Sequence, residues 1–122
     1  MEFDVIHSYT RKQALEDGVL VDLNRFEVCR HHYKHPIACT DTVWAIIEQS
    51  VRNKKHCNDY QGILHDMLWM SRVCRRVIDA STVIFTVIIT GAGRRRNHEF
   101  KMVCGPDDDG APCLTIMLPN ED

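Results

Sequence analysis

Thr82-Val83-Ile84-Phe85-Thr86-Val87-Ile88-Ile89-Thr90 decides the fold, because here the apolar residues stop recurring every three or four positions and begin to alternate. Val83, Phe85, Val87 and Ile89 fall on one side of an extended chain, with Ile84 and Ile88 interleaved among threonines, so the stretch reads as a central, largely buried strand. Two alternating runs follow it. His98, Phe100, Met102 and Cys104 alternate with Glu99, Lys101 and Val103, and Leu114, Ile116 and Leu118 alternate with Cys113, Thr115 and Met117. The economical arrangement is an α+β fold in which a three-stranded antiparallel C-terminal meander packs against N-terminal helices. Its two connections carry opposite charge: Gly91-Ala92-Gly93-Arg94-Arg95-Arg96, and Gly105-Pro106-Asp107-Asp108-Asp109-Gly110-Ala111-Pro112.

Upstream, Tyr60, Ile63, Leu64, Met67, Leu68, Ser71, Cys74 and Ile78 share one stripe and predict a helix from about Tyr60 to Ile78. Trp69, Met70, Val73 and Val77 widen its apolar surface, so this helix is expected to pack on more than one side. Thr40 or Asp41 caps another helix through Val43, Trp44, Ile47 and Val51, and Arg52, Lys54 and Lys55 suit the negative pole of its dipole. Thr10 and Gln13 have the spacing of a capping box, which starts a short helix that Gly18 ends after Asp17. Val19 to Leu23 reads as a brief extended segment, and a short helical stretch around Arg25 to His32 must stop before Pro36. With no internal repeat or low-complexity linker, the 122 residues read as a single globular domain, 1–122.

The composition, 44% hydrophobic and 26% charged, is that of a folded protein, and a net charge of -2 gives no global attraction for nucleic acid. The N-terminus lacks a basic segment followed by an apolar one, and no apolar run is long enough to span a bilayer. A cytoplasmic location and no membrane association are therefore expected. In that setting Cys29, Cys39, Cys57, Cys74, Cys104 and Cys113 read as reduced, small buried hydrophobes.

The densest set of metal-ligand types is Cys29, His31, His32, His35 and Cys39, which offers zinc soft donors, but Pro36 interrupts it and the spacing matches no paired-cysteine site. A histidine-rich surface connection is the simpler reading. Cys57 with His56 or His65 has the residue types of a nucleophile and its base, yet nothing in the spacing joins them. Asp107, Asp108 and Asp109 lack the alternating ligands and terminal Glu of a calcium loop, and turn chemistry explains them. Arg94, Arg95 and Arg96 form a basic tip that Arg72, Arg75 and Arg76 extend if all three lie on one helical side. No aromatic RNA platform or helix-turn-helix pattern accompanies them. Both tryptophans, Trp44 and Trp69, are expected mainly in the core; either one, if exposed instead, would anchor an interface.

No catalytic or metal residues and no cofactor are assigned on this reading; the candidate binding residues are Arg94, Arg95, Arg96, Asp107, Asp108 and Asp109. A domain with charged loops and no assembled active site suits binding better than turnover. The competing readings are a small zinc- or cysteine-dependent enzyme and a nucleic-acid-binding accessory protein.

Ser8-Tyr9-Thr10-Arg11, Gln13-Ala14, Asp17 to Asp22, Val43-Trp44, Leu68-Trp69-Met70 and Val103 to Pro106 through Thr115 to Asp122 carry a resemblance over most of the chain. In these stretches it resembles an uncharacterised family of small bacterial proteins associated with plasmids and other mobile elements. That resemblance implies no catalytic set. It does imply a mobile-element setting, in which a counter-defence factor of anti-CRISPR or antirestriction type would bind a host or mobile-element protein or nucleoprotein complex, with direct nucleic-acid contact as one route.

Overall fold

The computed structural model describes residues 9–121. In chain order these form α1 (Arg11–Asp17), β1 (Leu20–Asp22), α2 (Glu27–His32), β2 (Ile37–Thr40), α3 (Asp41–Arg52), α4 (Tyr60–Val73), β3 (Arg75–Asp79), β4 (Thr82–Ile88), β5 (Asn97–Pro106) and β6 (Pro112–Met117). The strands make one six-stranded sheet in the order β1-β2-β6-β5-β4-β3. All neighbours run antiparallel except β2 and β6, which are parallel. The fold is α+β, as expected, but the sheet is mixed and twice as wide as the three-stranded meander the alternation predicts. β4, β5 and β6 do pair in succession, and β1, β2 and β3 add to both sides of them.

β1 lies within the brief extended segment expected at Val19 to Leu23, whereas β2 and β3 escaped the periodicity for physical reasons. β2 is four residues long, too short for an alternation to register, and is buried along its whole length. β3 corrects the predicted Tyr60–Ile78 helix, which ends at Val73. Cys74 and Ile78, which would continue the stripe, are exposed. Arg75 to Val77 and Asp79 pair instead with β4, Ile78 being skipped where the register shifts, and a two-residue turn at Ala80-Ser81 joins the two strands. The Asp79 carboxylate fixes that turn by accepting the Ser81 N–H at 2.8 Å.

Residues paired across an antiparallel ladder share a face. One face therefore carries Val83, Phe85 and Val87 opposite Met102, Phe100 and His98, continuing through Leu114 and Ile116 to Ile37 and Cys39. α2, α3 and α4 cover this face, and Leu64, Met67 and Leu68 of α4 meet Phe85 and Phe100 in the core. The other face is covered over β6 by α1: Arg11 donates through Nη1 to Thr115 Oγ1 at 2.7 Å and through Nη2 to the Leu114 carbonyl at 2.9 Å. The expected capping box at Thr10 and Gln13 forms, and Gly18 ends α1 at φ 80°.

β4 is next to the edge and is not the doubly buried central strand its composition suggests. Its inward residues Phe85 and Val87 are buried, whereas Ile88, on the opposite face, is 59% exposed.

Candidate functional site

The ladder between β3 and β4 ends at Arg75↔Phe85, so Thr86, Val87 and Ile88 have β5 on one side and no strand on the other. α4 passes beneath this gap before turning into β3. Between the two lies a groove of about 840 Å³, lined by Asp66, Trp69, Met70 and Val73 from α4, by Arg75 and Arg76 from β3, by Ile84 to Ile88 from β4, and by Asn97 and Glu99 from the paired strand β5. Trp69 is 48% exposed here and Val73 55%, so neither is the core residue that the sequence suggests. The Trp69 indole stacks on His65, with ring centroids 6.3 Å apart.

Basic residues border both ends. Arg75 and Arg76 stand at the start of β3, not on a helical face with Arg72 as their spacing predicts. Arg72 turns away, and its Nη1 lies 3.3 Å from His32 Nδ1. At the other end the register pairs Ile88 with Asn97, and the Ile89 N–H donates to the Arg96 carbonyl at 2.9 Å, which brings the Arg94–Arg96 loop to the mouth of the groove. Among the described residues the ion pairs are His31–Glu27 and Arg52–Glu48, so none of these five arginines is neutralised by a described carboxylate.

The arginine loop is built in. Buried Ser50 donates to the Thr90 carbonyl at 2.6 Å, while Asn58 Nδ2 donates to Ser50 Oγ, Thr90 O and Thr90 Oγ1 at 2.8, 2.9 and 3.2 Å. Gly91 then turns the chain at φ 87°, where a Cβ would stand 3.2 Å from Asn53 Cβ and from His56 Cδ2. The loop thus leaves a fixed anchor on the α3–α4 connection.

Asp107, Asp108 and Asp109 lie at the far end of β5, roughly 30 Å away at the usual rise per residue of a strand. Asp108 accepts the Arg11 and Lys12 N–H groups at 2.8 and 3.0 Å and so caps α1. Asp107 Oδ1 closes its own turn by accepting from the N–H groups of Asp109 and Ala111, both at 2.9 Å. The two sequence-selected loops therefore form separate surfaces, and only the basic one adjoins the groove. Sequence reasoning missed Val73, Ile84 and Ile88 as site residues, and placed Trp69 at an interface only as the alternative to the core, because apolar residues in helical or alternating patterns read as core.

The Cys29 to His35 segment is drawn into other work. Cys29 and Cys39 are buried in the core, and burial pushes each thiol up to about 12. His31 reaches Glu27, and His32 Nε2 lies 3.0 Å from His65 Nδ1. Among the described residues no three His, Cys, Asp or Glu side chains gather as a metal-holding group. The expectation that all the cysteines are buried is corrected: Cys29, Cys39 and Cys113 are, whereas Cys57, Cys74 and Cys104 are exposed, and all six are free thiols. Among the described residues no helix is long and apolar enough to cross a membrane.

No curated protein and no solved structure matches the chain. A family model matches it over residues 1–122, and the chain therefore belongs to that family, the family of unknown function DUF6573.

Proposed function

We propose that this protein acts by binding a macromolecular partner, without turnover, and that the contact is the groove along β4 together with the Arg94–Arg96 loop. The observation that carries this reading is the coincidence of exposed Trp69, Val73 and Ile88 in one open groove with unneutralised arginines at both ends. An apolar centre inside a charged border is the anatomy of a recognition surface, and tryptophan and arginine are the residues most often dominant in one. Buried thiols held in their protonated form are poor nucleophiles, which favours binding over cysteine chemistry at Cys29 and Cys39.

The mobile-element setting implied by the resemblance makes a host defence nucleoprotein complex the proposed partner, bound through its protein component. The test is affinity capture from a host carrying its defence systems, with four baits: the unaltered protein, Trp69→Glu, Arg94→Glu/Arg95→Glu/Arg96→Glu, and Asp109→Asn. The first and last should retain the same partner, and the two groove baits should lose it. Retention by both groove baits would overturn the assignment.

A further inference from the structure

We propose that the groove receives an extended, acidic segment of a partner protein, which adds as a strand to the free edge of β4. This rests on the reading of the groove as a partner-binding surface and specifies how the partner is held. The backbone makes the first argument. The Cys104 N–H donates to Ser81 O, and the Ile89 N–H donates to Arg96 O, so the odd-numbered positions along β4 direct their main-chain groups toward β5. Alternation then directs the N–H and C=O of Thr86 and Ile88 the other way, beyond the last rung of β3. Cys74 would extend β3 opposite Thr86, but its ψ of 55° leaves the extended conformation, and its N–H donates to Met70 O. The gap in the ladder is therefore fixed by the end of α4, and it offers an incoming chain the same main-chain partners that β3 uses further along.

Side chains make the second argument. A strand in this gap has room for about three paired residues at ~3.3 Å each. On one face its side chains would meet Trp69, Met70 and Val73, and on the other they would lie beside Ile84 and Ile88. Beyond those residues the segment passes Arg75 and Arg76 at one end and Arg94–Arg96 at the other. The complementary sequence has a short β-branched centre with carboxylates on both sides. Asp66 and Glu99 lie within the lining, beside the segment's uncharged centre, where they repel the continuous charge of a phosphate backbone. Of the two aromatic rings in the lining only Trp69 is exposed, Phe85 being buried, so little stacking surface is offered to bases and nucleic acid is the poorer occupant. A second copy of this chain is disfavoured as well, because edge-to-edge pairing would bring two identical sets of arginines together.

The test uses the 15N-labelled full chain and synthetic probes. These are an acetylated, amidated Glu-Asp-Val-Ile-Val-Asp-Glu peptide, the same peptide with lysine at the four acidic positions, the acidic peptide with alternate central amides N-methylated, and an oligo-dT strand. The acidic peptide should shift the Thr86 and Ile88 amide resonances and slow their hydrogen exchange by about tenfold or more. The lysine and N-methylated peptides should do neither, and Arg75→Glu/Arg76→Glu should weaken the acidic peptide by about tenfold. Thr86→Pro removes one outward N–H without touching the β5 ladder and should abolish protection at Ile88; the N-methylated peptide asks the same question of the unaltered protein if that variant does not fold. Equal binding of the lysine peptide, binding of the acidic peptide without protection, no acidic-peptide binding, or protection of Thr86 and Ile88 by oligo-dT or by self-association alone would overturn the proposal. If the captured partner depends on Trp69 yet leaves Thr86 and Ile88 exchanging freely, strand addition falls and the groove reading stands. If its capture ignores every groove substitution, the groove reading falls first.

Discussion

Val87 and Ile88 are adjacent, both β-branched and indistinguishable by composition, yet the structure gives them opposite fates, with Val87 3% exposed against the core and Ile88 59% exposed in the groove. Truncating each to alanine separates packing from recognition. Val87→Ala removes two methyl groups from an enclosed site; at ~0.8 kcal/mol for each, plus the cavity left behind, the loss is about 2 to 3 kcal/mol. Ile88→Ala removes more carbon, but most of that surface is already in water, and the loss including strand propensity is about 1 kcal/mol or less. With ~1 kcal/mol equivalent to about 3 to 6 °C in a domain of this size, Val87→Ala should lower Tm by roughly 10 °C and Ile88→Ala by a few degrees. Urea denaturation followed by circular dichroism reads the difference directly, because the midpoint moves while the slope is unchanged. Partner capture should rank the two in reverse, with Ile88→Ala the more damaging. Equal losses of stability, or a larger loss at Ile88, would mean that the outer side of β4 is covered and would remove the open groove on which the functional reading stands.

Other perturbations probe the supports around the site. Asn58→Ala deletes three hydrogen bonds behind the arginine loop and should cost about 1 to 3 kcal/mol, with faster amide exchange from Gly91 to Arg96; unchanged exchange there would contradict the anchoring role. Asp108→Ala removes the carboxylate that accepts two N–H groups at the start of α1 and should cost about 0.5 to 2 kcal/mol in urea denaturation while leaving partner capture intact. His32 is held below its ordinary value of 6.5, first by burial and then by His65, Arg72 and His31, so the folded state favours the neutral ring. Its stabilising contribution is complete above about 6.5 and is lost as pH falls through the lowered folded value. His32→Gln should flatten that part of the stability profile, and an NMR titration placing His32 above 6.5 would refute the assignment.

What was legible in the chain was whatever local chemistry determines. Thr10, Gln13 and Gly18 mark the ends of α1, and Thr40 caps α3; each is a side chain or a backbone conformation acting within three or four residues. Alternation likewise identified the inward faces of β4, β5 and β6. Strand position within the sheet was not legible, because the pattern of β4 is compatible with burial on both faces until the extent of β3 is known. β3 itself was hidden by Arg72, Arg75, Arg76 and Ile78, whose spacing continues the helical stripe, and only pairing with Thr82 to Phe85 draws the chain out of the helix. The candidate site divided along the same line. Arg94–Arg96 stood out as charge, but the groove beside it depends on where α4 stops, a tertiary property. Asp107 and Asp108 stood out equally, and their carboxylates are occupied by backbone N–H groups of a turn and of α1.

The central claim is that the partner sits in the groove beside β4, and site-specific photo-crosslinking tests it most directly. A benzophenone side chain is placed separately at Trp69, at Ile88 and at Asp109 and irradiated in the presence of host lysate. The groove reading predicts one common adduct from positions 69 and 88 and none from 109. An adduct from 109 alone, or none from either groove position while the unaltered protein still captures its partner, would contradict it.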